Sequence, residues 1–140
     1  MNNIMKDTFE MLNLINNSLI KEYEALLEIE LTPKQSLLLD YVHKSKLTVN
    51  ELAYNMNITA SAVSQLVKRM EKDHYVKREI NTQNRREINV LLDWKGIKIY
   101  ETYDEIDKLM IEKYYSKLEE DEVKQLNSIV KKLSEYVLNE

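Results

Sequence analysis

The side chains with chemistry to offer cluster between Thr59 and Arg86. From Thr59 onward, Ser61, Ser64, Gln65, Lys68 and Arg69 fall on one side of a 3.6-residue period, opposite Val63, Leu66, Val67 and Met70. The polar side is short at its start and basic further on. Such a face can approach a DNA major groove closely, with Ser64 and Gln65 able to hydrogen-bond base edges. Lys68 and Arg69 then lie further back, where phosphates would be. Downstream, NTQNRR (residues 81–86) sets Arg85 and Arg86 side by side between amide side chains. Two guanidinium groups on an extended loop can enter a narrow minor groove, where negative potential concentrates. Asn81 and Asn84 can orient them by hydrogen bonds to guanidinium or backbone. Taken separately, each feature has a plainer reading: an amphipathic helix with a polar outside, and a solvated turn built from common turn residues.

The charge distribution sharpens the choice. The chain carries a net charge of −4. Residues 59–86 hold seven basic and three acidic residues, a local +4, against 13 basic and 21 acidic residues, −8, elsewhere. A cationic window in an acidic body can present one face to phosphate and repel it elsewhere. A mixed-charge solvated helix would show a similar count.

The elements that must position these residues are mostly helical. Glycine and proline occur once each in 140 residues, which predicts long helices and few tight turns. Residues 4–29 carry apolar side chains on more than one face of a helix, which calls for more than one partner. Thr32-Pro33-Lys34-Gln35 is a capping box with proline at the first helical position, predicting a helix to about Lys44 that buries Leu37, Leu38 and Tyr41. Thr48-Val49-Asn50-Glu51 is a second capping box, opening a short helix with Val49, Leu52, Ala53 and Met56 on one face. Asn55–Ile58 makes a tight connection, and Thr59 caps the third helix. Three short helices with tight joints suggest a helix-turn-helix. After Asp73 the period becomes two: Val76, Arg78 and Ile80, then Ile88, Val90 and Leu92, a hairpin with NTQNRR as its tip. Asp93 is a natural N-cap for a helix over 94–117, with Leu92 and Ile97 as its hydrophobic staple. Glu119 to Leu138 repeats Val123, Leu126, Val130, Leu133 and Val137 like a coiled-coil seam. The expected fold is mainly α with a small β-hairpin (α+β): a winged helix-turn-helix over 31–92, flanked by helical dimerisation segments over 1–30 and 93–140. The terminal helices have more apolar surface than so small a centre can cover. A homodimer resolves this, a monomeric bundle being the alternative.

Over Leu52–Gly96, the stretches LAYNMNITASAVSQLVKRMEKDHYV and NTQNRREINVLLDWKG resemble the MarR family of winged-helix regulators. In that family the recognition helix ends in a Leu-Glu-x-x-Gly-like turn. A wing with Asp-x-Arg near its tip follows, and Leu-Thr-x-x-Gly opens a long dimerisation helix. The order of elements is similar over essentially the whole chain, and the motifs cover about 45 residues. The resemblance implies that Arg86 is the wing arginine of the minor groove, that Asn84 stands at the aspartate that positions it, and that Arg85 occupies a variable, often basic place. Ser61, Ser64, Gln65, Lys68 and Arg69 fall where family members contact bases and phosphates. Three positions depart from the pattern. Asn84 offers a neutral rather than a charged acceptor. His74 stands at the helix-ending glycine, a site that calls for positive φ. Asp93 replaces the threonine cap. Gly96, the only glycine, falls inside a helix, where propensity disfavours it by about 1 kcal/mol against Ala and close packing is the expected reason.

The family resemblance further implies a small aromatic or phenolic effector between the dimerisation helices and the winged unit, with Tyr23, Tyr41, Tyr100 and Tyr103 as candidates among nine tyrosines. The plainer reading is that these rings pack the core with hydroxyls at its rim. The absence of cysteine excludes disulfides and thiol sensing within the chain, and two separate histidines make no metal site. No cofactor is expected. No apolar run approaches a membrane span, and the N-terminus lacks a signal-peptide pattern, so a cytoplasmic location is expected. No nucleophile–base pair or phosphate loop suggests an enzyme. The expected partners are double-stranded DNA and a second copy of the chain, in a pseudo-palindromic, repressor-type arrangement. The alternative is a winged-helix module that binds protein instead of DNA.

Overall fold

The computed structural model describes residues 1–139. The chain forms α1 (Asn2–Leu26), α2 (Pro33–Lys44), β1 (Leu47–Thr48), α3 (Val49–Met56), α4 (Ala60–Lys72), β2 (Val76–Ile80), β3 (Ile88–Leu92), α5 (Trp94–Lys113), a 3-10 turn (Tyr115–Lys117) and α6 (Glu120–Leu138). It divides into two compact units, Met1–Tyr103 and the segment from Asp104 onward.

The starts of the short helices follow from their caps. The Thr32 hydroxyl accepts from the Gln35 amide at 3.2 Å, and the Gln35 side chain returns a bond to the Thr32 amide at 3.0 Å. Thr48 and Glu51 repeat the pattern at 3.1 and 3.3 Å. The Thr59 hydroxyl accepts from the Ala62 amide at 3.0 Å. Each bond satisfies an orphan donor of a helix first turn, an effect of about 1 kcal/mol.

Two helix ends share one device. At the end of α3 the Ile58 amide reaches the Ala53 carbonyl and the Asn57 amide reaches Tyr54, with Asn57 at φ 54°. At the end of α4 the Tyr75 amide reaches Met70 and the His74 amide reaches Glu71, with His74 at φ 65°. Both are Schellman motifs with a left-handed residue. Glycine usually fills that place; Asn and His are among the side chains that tolerate it. The positive φ expected at His74 is present.

A three-stranded antiparallel sheet in the order β1-β3-β2 completes the first unit. β2 and β3 pair from Val76↔Leu92 to Ile80↔Ile88, and β1 adds Leu47↔Val90 and Thr48↔Asn89. The core comprises Leu38, Leu39, Val42, Leu52, Ala53, Val63, Val67, Met70, Val76, Val90 and Ile99. Val63, Val67 and Met70 fix the inner face of α4, so its outer face is left to solvent.

The packing corrects several sequence-based expectations. α2 buries Leu38, Leu39 and Val42, whereas Leu37 is 43% exposed and Tyr41 only half-buried. Three consecutive leucines leave the inward face ambiguous by one residue, and contact with the sheet decides it. α5 ends at Lys113 rather than 117. The Asp93 carboxylate accepts from the adjacent Trp94 amide at 2.8 Å rather than from deeper in the first turn. Ile97 is half exposed. Leu92 lies beside Gly96, where an added Cβ would come within 3.0 Å of its methyl group and 2.3 Å of the Tyr75 carbonyl oxygen. That carbonyl accepts from the Asp93 amide, and the His74 carbonyl accepts from the Lys95 amide. Gly96 thus allows the start of α5 to run against the turn that ends α4.

Candidate nucleic-acid interface

The outer face of α4 is continuous and open. Ser61, Ser64, Gln65, Lys68 and Arg69 are all exposed, with Lys72 one turn beyond. Among the described residues, no ion pair or side-chain hydrogen bond occupies Lys68, Arg69 or Lys72. The sequence order of small polar residues followed by basic ones is therefore a spatial order along one stripe.

Beside this stripe, Glu71 of α4 and Arg78 of β2 form a clamp. The Arg78 guanidinium donates to both Glu71 carboxylate oxygens at 3.0 and 3.1 Å, and the Arg78 amide adds a third bond at 3.2 Å. The side-chain bond to Arg78 holds the Glu71 carboxyl below its ordinary value, and the same bond raises Arg78. Arg78 therefore serves to tie β2 to α4 and is withdrawn from the free cationic set. Sequence reading missed this pair. The signal would have been an acid in the last turn of a helix facing the first strand after it.

The wing tip is built by asparagine side chains. The Asn81 side-chain oxygen accepts from the amides of Gln83 and Asn84 at 2.9 and 3.3 Å. The Asn84 side-chain oxygen accepts from the Arg86 amide at 3.2 Å, while the Asn84 carbonyl accepts from the Glu87 amide at 3.0 Å. Asn84–Glu87 is thus a type I turn with Asn at its favoured first position and Arg85 and Arg86 at its centre. Asn84 supports Arg86 through the main chain. Both guanidinium groups are exposed and, among the described residues, unpaired.

The four tyrosines separate. Tyr100 and Tyr103 line a cavity of about 300 Å³ together with Glu24, Leu27, Leu39 and Asp40. The Tyr23 ring stands 6.3 Å from that of Tyr103 but outside the lining. Tyr41 is not brought to the cavity; its hydroxyl donates to the Asn55 carbonyl at 3.3 Å. The Tyr100 hydroxyl donates to Asp40 at 2.6 Å, and the ring stacks on His43 at 3.7 Å and 6°. Burial, then the bond to Asp40, pushes the Tyr100 hydroxyl far above its ordinary value, so it remains a donor. Burial raises Tyr103 likewise, with Asp40 adding to the effect. Asp40, Glu24 and His43 carried no sequence signal, because the cavity joins segments distant in the chain. No group of three or more metal-ligating side chains occurs among the described residues. No described helix is long and apolar enough to cross a membrane.

A capped helix-turn-helix followed by a hairpin wing with unpaired arginines defines a winged-helix protein. The MarR family pattern matches residues 29–87. The HTH-type transcriptional repressor MdtR of Bacillus subtilis (strain 168) is 32% identical over 105 residues, covering 74% of this chain and 68% of that one. The structure of S. aureus MepR bound to ethidium bromide superposes with a TM-score of 0.69 at 25% identity, covering 91% of this chain and 94% of that one. A mutant MepR bound to an oligodeoxyribonucleotide gives a TM-score of 0.65 at 25% identity, covering 93% and 97%. The chain belongs to the MarR family. It is a DNA-binding transcriptional regulator and not an enzyme.

Proposed function

We propose that the protein is a homodimeric, effector-responsive repressor that binds a pseudo-palindromic operator. Residues 31–92 read DNA, while residues 1–30 and the segment from 93 onward make the dimer. The observation that carries this reading is the pairing of two surfaces. An unobstructed small-then-basic stripe on α4 is tied through the Glu71–Arg78 clamp to the hairpin whose braced turn presents two unpaired arginines. Ser61, Ser64 and Gln65 contact bases, Lys68 and Arg69 contact phosphates, and Arg85 and Arg86 enter the flanking minor groove. The family membership, the name of the repressor relative and the oligonucleotide-bound MepR support DNA as the partner.

Dimerisation rests on uncovered apolar side chains. α1 has no buried described residue and exposes Ile4, Phe9, Leu14 and Ile15, and α6 exposes Ile129, Val130, Leu133 and Val137. The effector role rests on the cavity beside Tyr100 and Tyr103, and on the ligand-bound state of MepR. Selecting bound sequences from a random DNA pool tests the whole reading. Enrichment of an inverted repeat with half-sites roughly 34–36 Å apart is expected. Binding that ignores both sequence and salt would favour the protein-binding alternative, because phosphate contacts weaken steeply with salt.

A further inference from the structure

The wing carries one apolar side chain that the fold leaves uncovered. Ile80 ends β2 and is 63% exposed; of the described residues between Thr59 and Leu92 it is the one large apolar side chain left so open. Register fixes its place. Val76 is buried and Arg78 reaches Glu71, so alternation puts Val76, Arg78 and Ile80 on the side of β2 that faces α4. Ile80 pairs with Ile88 in the last row of the ladder. The Asn81 amide then donates to the Glu87 carbonyl and closes the loop that carries Arg85 and Arg86. Ile80 therefore stands between two cationic surfaces. Lys68 lies about one turn before Glu71 along α4, and the wing arginines lie one loop beyond Ile80.

Hairpin stability explains only part of this. A cross-strand aliphatic pair supports the hairpin, and Ile88 is half-buried. The exposed remainder of Ile80 serves no such purpose, since threonine would suit the strand as well and be better hydrated. We propose that Ile80 packs on deoxyribose of the DNA strand that separates the major groove read by α4 from the minor groove entered by the wing. The assignment rests on the DNA contacts proposed for α4 and the wing, and adds a residue to them.

Depth selects the sugar. The minor groove is about 6 Å wide and about 7.5 Å deep, so a turn carrying two arginines fills it. A side chain one row behind that turn meets the wall of the groove rather than the base edges. The wall is phosphate and deoxyribose, and only the C–H faces of the sugar suit an aliphatic group with no hydrogen bond to offer. Such a contact has its own energetic signature. A lysine or arginine on phosphate releases counterions and loses affinity as salt rises. Ile80 gains by leaving water and releases no counterion, so its contribution keeps its size across moderate salt. It carries no base preference, and it sets how closely the wing lies to α4 on the duplex.

Fluorescence anisotropy with the operator selected from the random DNA pool, over a salt series, tests the contact. Ile80→Thr keeps the β-branch and should lower affinity about threefold or more per arm, with the slope of log affinity against log salt unchanged. Ile80→Val should fall between Ile80→Thr and the wild type. Ile80 is largely exposed, so thermal unfolding of both variants should stay close to the wild type. If Ile80→Thr does not fold, Ile80→Val, the smaller change, decides. Wild-type affinity in the folded variants overturns the sugar contact and leaves the DNA reading intact. A loss that comes with a shallower salt slope also overturns it, because Arg85 and Arg86 would then have been displaced from phosphate. Failure of the wild type to select any operator overturns the DNA reading and the sugar contact with it.

Discussion

Arg86 is oriented by its main chain, and this makes its support separable from its charge. The Asn84 side-chain oxygen accepts from the Arg86 amide, and an aspartate at the same place would offer the same acceptor. Asn84→Asp should therefore leave operator affinity within about twofold, whereas Asn84→Ala, which removes the acceptor of a bond of about 1 kcal/mol, should weaken it several-fold. Arg86→Ala removes the charge itself. It should lower affinity and reduce the slope of log affinity against log salt by about one per arm, read by fluorescence anisotropy over a salt series. An unchanged slope would place the wing outside the complex. Gly96 offers a second test at the same scale, with two effects of opposite sign. Helix propensity favours Gly96→Ala by about 1 kcal/mol. The added Cβ would lie 2.3 Å from the Tyr75 carbonyl oxygen, a backbone atom that itself accepts from Asp93. Overpacking of this kind costs about 1–3 kcal/mol, more where backbone must move. The contact should win, and thermal unfolding of Gly96→Ala should occur several degrees lower. A rise in Tm would mean that the turn yields to the methyl group.

At the scale of elements, the Glu71–Arg78 clamp joins α4 to β2, and its contribution depends on pH. Glu71 titrates below its ordinary value in the folded protein, because Arg78 bonds its ionised form. Its contribution to stability is therefore present above the unfolded value and lost as pH falls through the folded one. Arg78 stays charged throughout. Both side chains are partly exposed, at 33% for Glu71 and 43% for Arg78. Screening then limits the clamp to about 0.5–1 kcal/mol. Urea unfolding of Glu71→Gln should show that loss at pH 7 and a progressively smaller one as pH falls through the acid range, and an equal loss at every pH would rule out ionisation as its source. Elements with caps were legible in the sequence. Thr32, Thr48 and Thr59 each begin a helix by bonds that their own short motifs specify. β1 was not legible, since two residues have no period and Thr48 serves at once as strand and cap. The inward face of α2 was hidden by its run of leucines. The wing was legible as alternation, but its tip geometry depends on which asparagine oxygen meets which amide. The cavity was half legible: Tyr100 and Tyr103 could be named as aromatic, whereas Glu24 and Asp40 join them only through tertiary packing.

At the scale of the whole molecule, the first and last helices present the problem that assembly must solve. α1 runs for 25 residues with no described residue buried, and α6 for 19 with none. Phe9 is 66% exposed and Ile129 64%. Exposed apolar side chains of this kind fit the dimer proposed above, in which a two-fold pairing would cover the same residues on both copies. Light scattering at micromolar concentration should accordingly report a dimer. Leu133→Glu would place a charge inside the proposed interface and should shift the population toward monomer, with little effect on the buried set of the DNA-reading region. The consequence for DNA follows from geometry. In the proposed dimer, two α4 helices held in one assembly would meet half-sites one helical turn apart, so inserting about 5 bp between the half-sites would rotate one of them to the far side of the duplex. Wild-type affinity should then fall to the non-specific level, about a thousandfold or more. A monomeric Leu133→Glu variant should bind the native and the lengthened operator equally and weakly. If the wild type also ignored the insertion, the two reading regions would be acting independently, and the dimer would have no part in choosing the operator.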